Sequence, residues 1–161
     1  TLVKWLSAAL FKYPTGQVLF WNNNKFEELE FTKSGQPNGI VKSEDALYVA
    51  NNLSDTVKIY DLIEEQEIAS FSINSPDNLI LHDDSIWVTS LEHEAIDVLS
   101  CPTDQCSLPF NVYSLSSEDL QLEKIYLFRQ DVMGLPTVAI PINDKIWMGS
   151  FRTDRLVNFD K

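Results

Sequence analysis

The sequence predicts an all-β chain forming a partial β-propeller, about three four-stranded blades of an expected six. Three observations predict it. A phrase of strand, turn, strand, turn, strand recurs from Pro37, Pro76 and Pro136 as "PNGIVKSEDALYVAN", "PDNLILHDDSIWVTS" and "PTVAIPINDKIWMGS". In every copy the second apolar run begins ten residues after the proline, at Leu47, Ile86 and Ile146. No segment keeps a helical period beyond two turns, whereas the hairpin residues "KSEDA", "HDDS" and "INDK" separate the apolar runs. A sandwich also gives many short strands, but it does not repeat one phrase in register. Four-stranded units of about 40 residues point to a propeller.

The elements follow in order. Residues 1–34 read as the end of a blade, with "TLVKWLSAALFKYP" as strand because Trp5, Phe11 and Tyr13 favour sheet. Residues 37–75 form a blade with an apolar middle strand "LYVA", a third strand Val57–Tyr60 and an outer strand in "EQEIASFSI". Residues 76–128 form a blade with a Cys loop: middle strand "IWVT", third strand Ile96–Leu99, and "LPFNVYSL" as outer strand. Residues 129–161 form a final incomplete blade, closing with Leu156–Phe159. The middle strands are continuously apolar, which predicts burial on both faces and places Trp87 and Trp147 in the core. The whole of 1–161 is one partial domain. A closed propeller needs at least about four blades, so the N-terminal half of a propeller is needed for closure. Thr1 in place of an initiator Met points to a processed protein or a fragment.

Composition narrows the partners. With 24 acidic against 12 basic residues the net charge is −12, which disfavours nucleic acid and anionic membrane surfaces and suits cations. No run reaches the ~18 apolar residues of a membrane-spanning helix. Glycine-rich phosphate loops, nucleophile elbows and Walker motifs are absent. Cys101 and Cys106 frame "PTDQ", either as a disulfide across a tight loop or as two thiols in a surface loop. The disulfide reading, with the glycosylation sequon at Asn52, favours a secreted or extracellular protein. His82 and His93 are not spaced as zinc ligands around the cysteines. Arg152 and Arg155 read as a solvated loop.

The repeat makes Asn38, Asp77 and Thr137 equivalent, followed by Gly39, Asn78 and Val138. In a propeller, residues just before the innermost strands meet at the channel mouth. Asn38, Asp77 and Asn78 there offer two amides and a carboxylate, hard oxygens that suit Ca²⁺ rather than zinc or copper. Turns before strands are a sufficient account of the same residues from spacing alone.

The phrases "PNGIVKSEDALYVAN", "PDNLILHDDSIWV" and "GLPTVAIPINDKIWMGSFRTDRLV" resemble the C-terminal half of the paraoxonase/arylesterase family, within the wider gluconolactonase/regucalcin-like superfamily. The resemblance implies a six-bladed propeller and calcium-dependent hydrolysis of a small ester or lactone, the ion polarising the carbonyl for attack by water. It implies Asn38, Asp77 and Asn78 as metal ligands, with Asp77 mainly a ligand and a poor base. Thr137 would lie beside the substrate pocket. Leu91 stands where mammalian members carry a pocket histidine, and His93 reads as an exposed loop residue. The family's histidine dyad and remaining ligands lie in the other half, so the 161 residues alone are expected to be inactive. A sugar lactonase and a non-catalytic scaffold stay open as alternatives, as does membrane or lipoprotein association.

Overall fold

In a computed structural model, which describes residues 13–93, 97, 100, 101, 106–129 and 133–161, the chain is all-β. Among these residues thirteen strands form four separate antiparallel sheets, none of them closed. β1 (Gly16–Trp21) pairs with β2 (Phe26–Ser34). The second sheet runs in sequence order through β3 (Pro37–Ser43), β4 (Ala46–Asn51), β5 (Thr56–Asp61) and β6 (Gln66–Ser72). The third repeats that order with β7 (Pro76–His82), β8 (Ser85–Leu91), β9 (Phe110–Ser116) and β10 (Leu122–Phe128). The fourth has three strands, β11 (Pro136–Ile142), β12 (Lys145–Ser150) and β13 (Val157–Asp160).

The third sheet corrects one expectation. Its third strand is Phe110–Ser116, the segment expected outermost, and the outer strand is Leu122–Phe128. Of the expected third strand, only Asp97 lies within the described residues. The place beside β8 belongs to β9, which pairs along all of it from Ser85↔Ser116 to Leu91↔Phe110. Phe110, Val112 and Leu115 are buried there, facing the neighbouring sheets. The Cys loop is thus an insertion between the second and third strands. Trp5 and Phe11 lie outside the described residues, and Tyr13 precedes β1 rather than joining it.

Alternation along each middle strand stacks the sheets face to face. Leu47 and Val49 of β4 pack with Tyr60 against Val18, Leu29 and Phe31 of the first sheet. Tyr48 and Ala50, on the other face, join Ile86, Val88 and Leu115 of the third sheet. Trp87 faces away from that cluster, toward Ile146 and Met148 of the fourth sheet. β4 and β8 are therefore buried on both faces, as continuous apolar runs predict. β12 is not. Ile146 and Met148 are buried, but Trp147 is 40% exposed, so the expectation of a core Trp147 fails. It occupies the same register position as Trp87, on a face that no further sheet of the described residues covers.

Candidate functional site

The three repeated phrases enter their sheets in the same way. Gln36, Ser75 and Leu135, each just before a proline, sit at positive φ of 52°, 39° and 51°. Proline disfavours the right-handed helical region in the residue before it, and side chains other than glycine rarely occupy the left-handed one. Three repetitions of this costly conformation mark a backbone feature that the surrounding structure holds in place. Each proline then pairs with the end of its middle strand, and the register slips by one residue immediately afterwards. The slips fall between Pro37 and Ile40, between Pro76 and Leu79, and between Pro136 and Val138. A β-bulge re-aims side chains and bends its strand. Asn38, Asp77, Asn78 and Thr137 all lie in these bulges.

The first two bulges touch. A Cβ built on Gly39 would lie 2.5 Å from the Asp77 carbonyl oxygen, 2.6 Å from Asn78 Cα and 2.8 Å from Leu79 N. These are main-chain atoms, so only glycine permits the approach. Neighbouring sheets thereby bring the main chain at Gly39, next to Asn38, against Asp77-Asn78. Asn38 is exposed, Asn78 half-buried and Asp77 buried at 8% exposure. Asn78 Nδ2 donates to Asp77 Oδ1 at 3.0 Å. Among the described residues no ion pair reaches this carboxylate, and burial pushes its pKa up to about 6. Thr137 is half-buried in the third bulge, on β11, which packs against β7.

The pairing also exposes a polar position that sequence reading passed over. Asn51, Ser90 and Ser150 stand opposite Pro37, Pro76 and Pro136. Ser90 Oγ donates to the Asn74 carbonyl at 2.5 Å and Ser150 Oγ to the Gly134 carbonyl at 2.8 Å, latching the entry loops. Asn51 is fully buried, and its Oδ1 has no hydrogen-bond partner. The signal was present, since the quoted phrases end in Asn51 or reach Ser90 and Ser150 in the same column.

Leu91 is buried with Leu135 and Cys106 beneath the Cys101–Cys106 disulfide, with Cys101 and Leu108 packed against them. His93 is half-buried rather than exposed. Asn52 Nδ2, the atom a glycan would use, donates to the Pro76 carbonyl at 3.2 Å. Arg155 Nε pairs with Asp154 at 2.7 Å in the exposed loop after β12. No group of three or more His, Cys, Asp or Glu is placed to hold a metal among the described residues. The oxygen set above contains a single carboxylate and would not be such a group.

No family model matches the chain, and no curated protein matches it. Among solved structures, the computationally designed Ika8 protein is similar over 93% of this chain and 54% of that one, with 12% identity and a TM-score of 0.46. The chain thus spans about half the length of that protein.

Proposed function

We propose that the chain is part of a β-propeller whose touching bulges form a calcium site, and that the site serves hydrolysis of a small ester or lactone. The observation that carries the reading is the Gly39 contact. It sets an exposed amide, a half-buried amide and a buried carboxylate at one junction between sheets. A buried carboxylate with one amide partner is costly when ionised, and a hard cation relieves that cost. Asp77, Asn78 and Asn38 fit calcium by the chemistry of their oxygens, and the buried Asn51 Oδ1 nearby is a further acceptor with no donor.

Calcium held there would supply a Lewis-acid centre for a carbonyl oxygen. The chain's own residues have positional tasks. Asp77 provides the negative charge, Asn78 fixes the carboxylate by donating to it, and Gly39 sets the distance between the two strands. Thr137 extends the rim from the neighbouring sheet. No described residue is assigned the general base, in keeping with a base supplied from the remaining part of the propeller. The disulfide fits an oxidising, extracellular setting.

Calorimetric titration of calcium into the chain extended to a complete propeller tests the ligand role, with phenyl acetate hydrolysis followed alongside. Binding that disappears in both Asn38→Ala and Asp77→Ala supports the site. Binding unchanged in both makes the residues turn and bulge formers, and the scaffold reading then replaces this one.

A further inference from the structure

The strap Met133–Leu135 leads into the fourth sheet and is held at each residue. Met133, 1% exposed, is buried in the cluster between the third and fourth sheets, with Trp87, Phe110 and Met148. Gly134 rests on the main chain of the Cys loop, where a Cβ would meet the Cys106 carbonyl oxygen at 2.6 Å and Leu108 N at 2.7 Å. Leu135 is fully buried and packs with Cys106 and Leu91. It also carries the strain of the third bulge, at φ 51° directly before Pro136. Such a conformation persists only while the surroundings enforce it.

The other two entry loops are held by hydrogen bonds. Gly35, the counterpart of Gly134, rests on Ser54 of its own sheet. Its N–H donates to Ser54 Oγ at 2.7 Å, and its carbonyl accepts from Leu53 N at 3.0 Å. Before the second bulge, the Asn74 carbonyl accepts from Ser90 Oγ at 2.5 Å and the Ser75 carbonyl from Leu91 N at 3.2 Å. The third loop shares the serine latch, from Ser150 Oγ to the Gly134 carbonyl, and adds the Cys106–Leu108 main chain, which lies outside the strands. A covalent bond to Cys101, five positions away, restrains that segment. Unlike the hydrogen bonds of the other two loops, it can be cut by a change of redox state.

We propose that the Cys101–Cys106 disulfide is a redox switch for the third bulge. Reduction frees the strap, and Leu135 relaxes toward the extended conformations favoured before proline. Cys106 is 1% exposed and Cys101 half-buried, so a dithiol attacks Cys101 Sγ. The S–S bond breaks, and Cys106 Sγ leaves with the electron pair and takes a proton. The reagent's second thiol then displaces Cys101, which is also released as a thiol. Two electrons and two protons enter the protein, and the dithiol departs as its own disulfide. The consequence for Thr137, next after Pro136, rests on the calcium-hydrolase reading; the switch itself does not.

The test follows methionine methyl resonances by NMR in the chain extended to a complete propeller, without calcium, before and after reduction with dithiothreitol. Met133 and Met148 share one cluster and are identified by Met133→Leu and Met148→Leu, changes that nearly conserve volume. The expected result is a displaced Met133 resonance with Met148 nearly still, reversed on reoxidation and reproduced by Cys101→Ser without reductant. That variant leaves Cys106 in its cluster; should it not fold, the reduced wild type carries the same comparison. An unmoved Met133 after complete reduction, verified by mass spectrometry of the alkylated cysteines, overturns the proposal. So does an equal displacement of both methyls, which marks general loosening. Where the propeller hydrolyses phenyl acetate, reduction also lowers kcat/KM by about tenfold, with calcium affinity unchanged. Calcium binding that fails in the oxidised protein overturns the calcium reading alone.

Discussion

Asp77 holds its carboxyl where water is largely excluded, and burial raises its pKa to about 6. Between the ordinary carboxylate value near 4 and about 6, the folded chain keeps a proton that the unfolded chain has released. Stability without calcium therefore falls as pH rises through that window, by about 2–3 kcal/mol in total. Chemical denaturation at pH 5 and pH 7 should show it, with the calcium-free chain more stable at pH 5. Calcium should stabilise more at pH 7, where it no longer competes with the proton. Asp77→Asn should remove both effects and raise calcium-free stability at pH 7. Gly39 makes a sharper prediction, because its neighbours are main-chain atoms that cannot rotate away. Gly39→Ala should cost about 3 kcal/mol or more, read as a lowered denaturation midpoint, and should weaken calcium binding although alanine removes no ligand. The sequence carried these residues plainly as a repeated column. It did not carry the reason for the glycine, since the approach of two strands some forty positions apart leaves no local signal.

At the scale of the element, the unit opens with a strained residue, a proline and a bulge. Gln36 can be relieved without loss of a buried side chain, so Gln36→Gly should raise stability by about 0.5–1 kcal/mol, measurable by thermal unfolding. The Cys loop acts differently. Its disulfide closes a very short ring above Leu91 and Leu135. Reduction should lower stability by about 2 kcal/mol on chain-entropy arithmetic, and hydrogen exchange should quicken at the end of β8 before it does in β4. Strand periodicity made β3–β8 and β11–β13 readable. The third strand of the third sheet was not, because two apolar runs competed for one place. The choice rests on which of them buries Phe110 and Val112 between two sheets, a tertiary quantity rather than a local one.

Across the whole molecule, apolar clusters between the sheets join them, beside a few hydrogen bonds such as Asn52 Nδ2 to the Pro76 carbonyl. Leu120 belongs by sequence to the third sheet but seals the junction with the second. Leu120→Ala should therefore cost about 3 kcal/mol and loosen two sheets together, seen as a single cooperative transition at lower denaturant. The repeated antiparallel sheets were legible from spacing. The unequal fate of their three middle tryptophan-type positions was not, because Tyr48, Trp87 and Trp147 share a column and differ only in what the next sheet places against them.

That column has a spectroscopic consequence. Trp21 at one end of the stack is 49% exposed and Trp147 at the other is 40% exposed, whereas Trp87 lies buried between them. Among the described residues, each end sheet thus displays an indole in water while the interior keeps one dry. Anything that covers either end, whether the rest of a propeller or a second chain, must shift tryptophan emission toward the blue and shield it from iodide. Replacing Trp21 or Trp147 by phenylalanine, in a chain whose Trp5 is already phenylalanine, then tells which end was covered. The chain carries its own optical label at each of its two open faces.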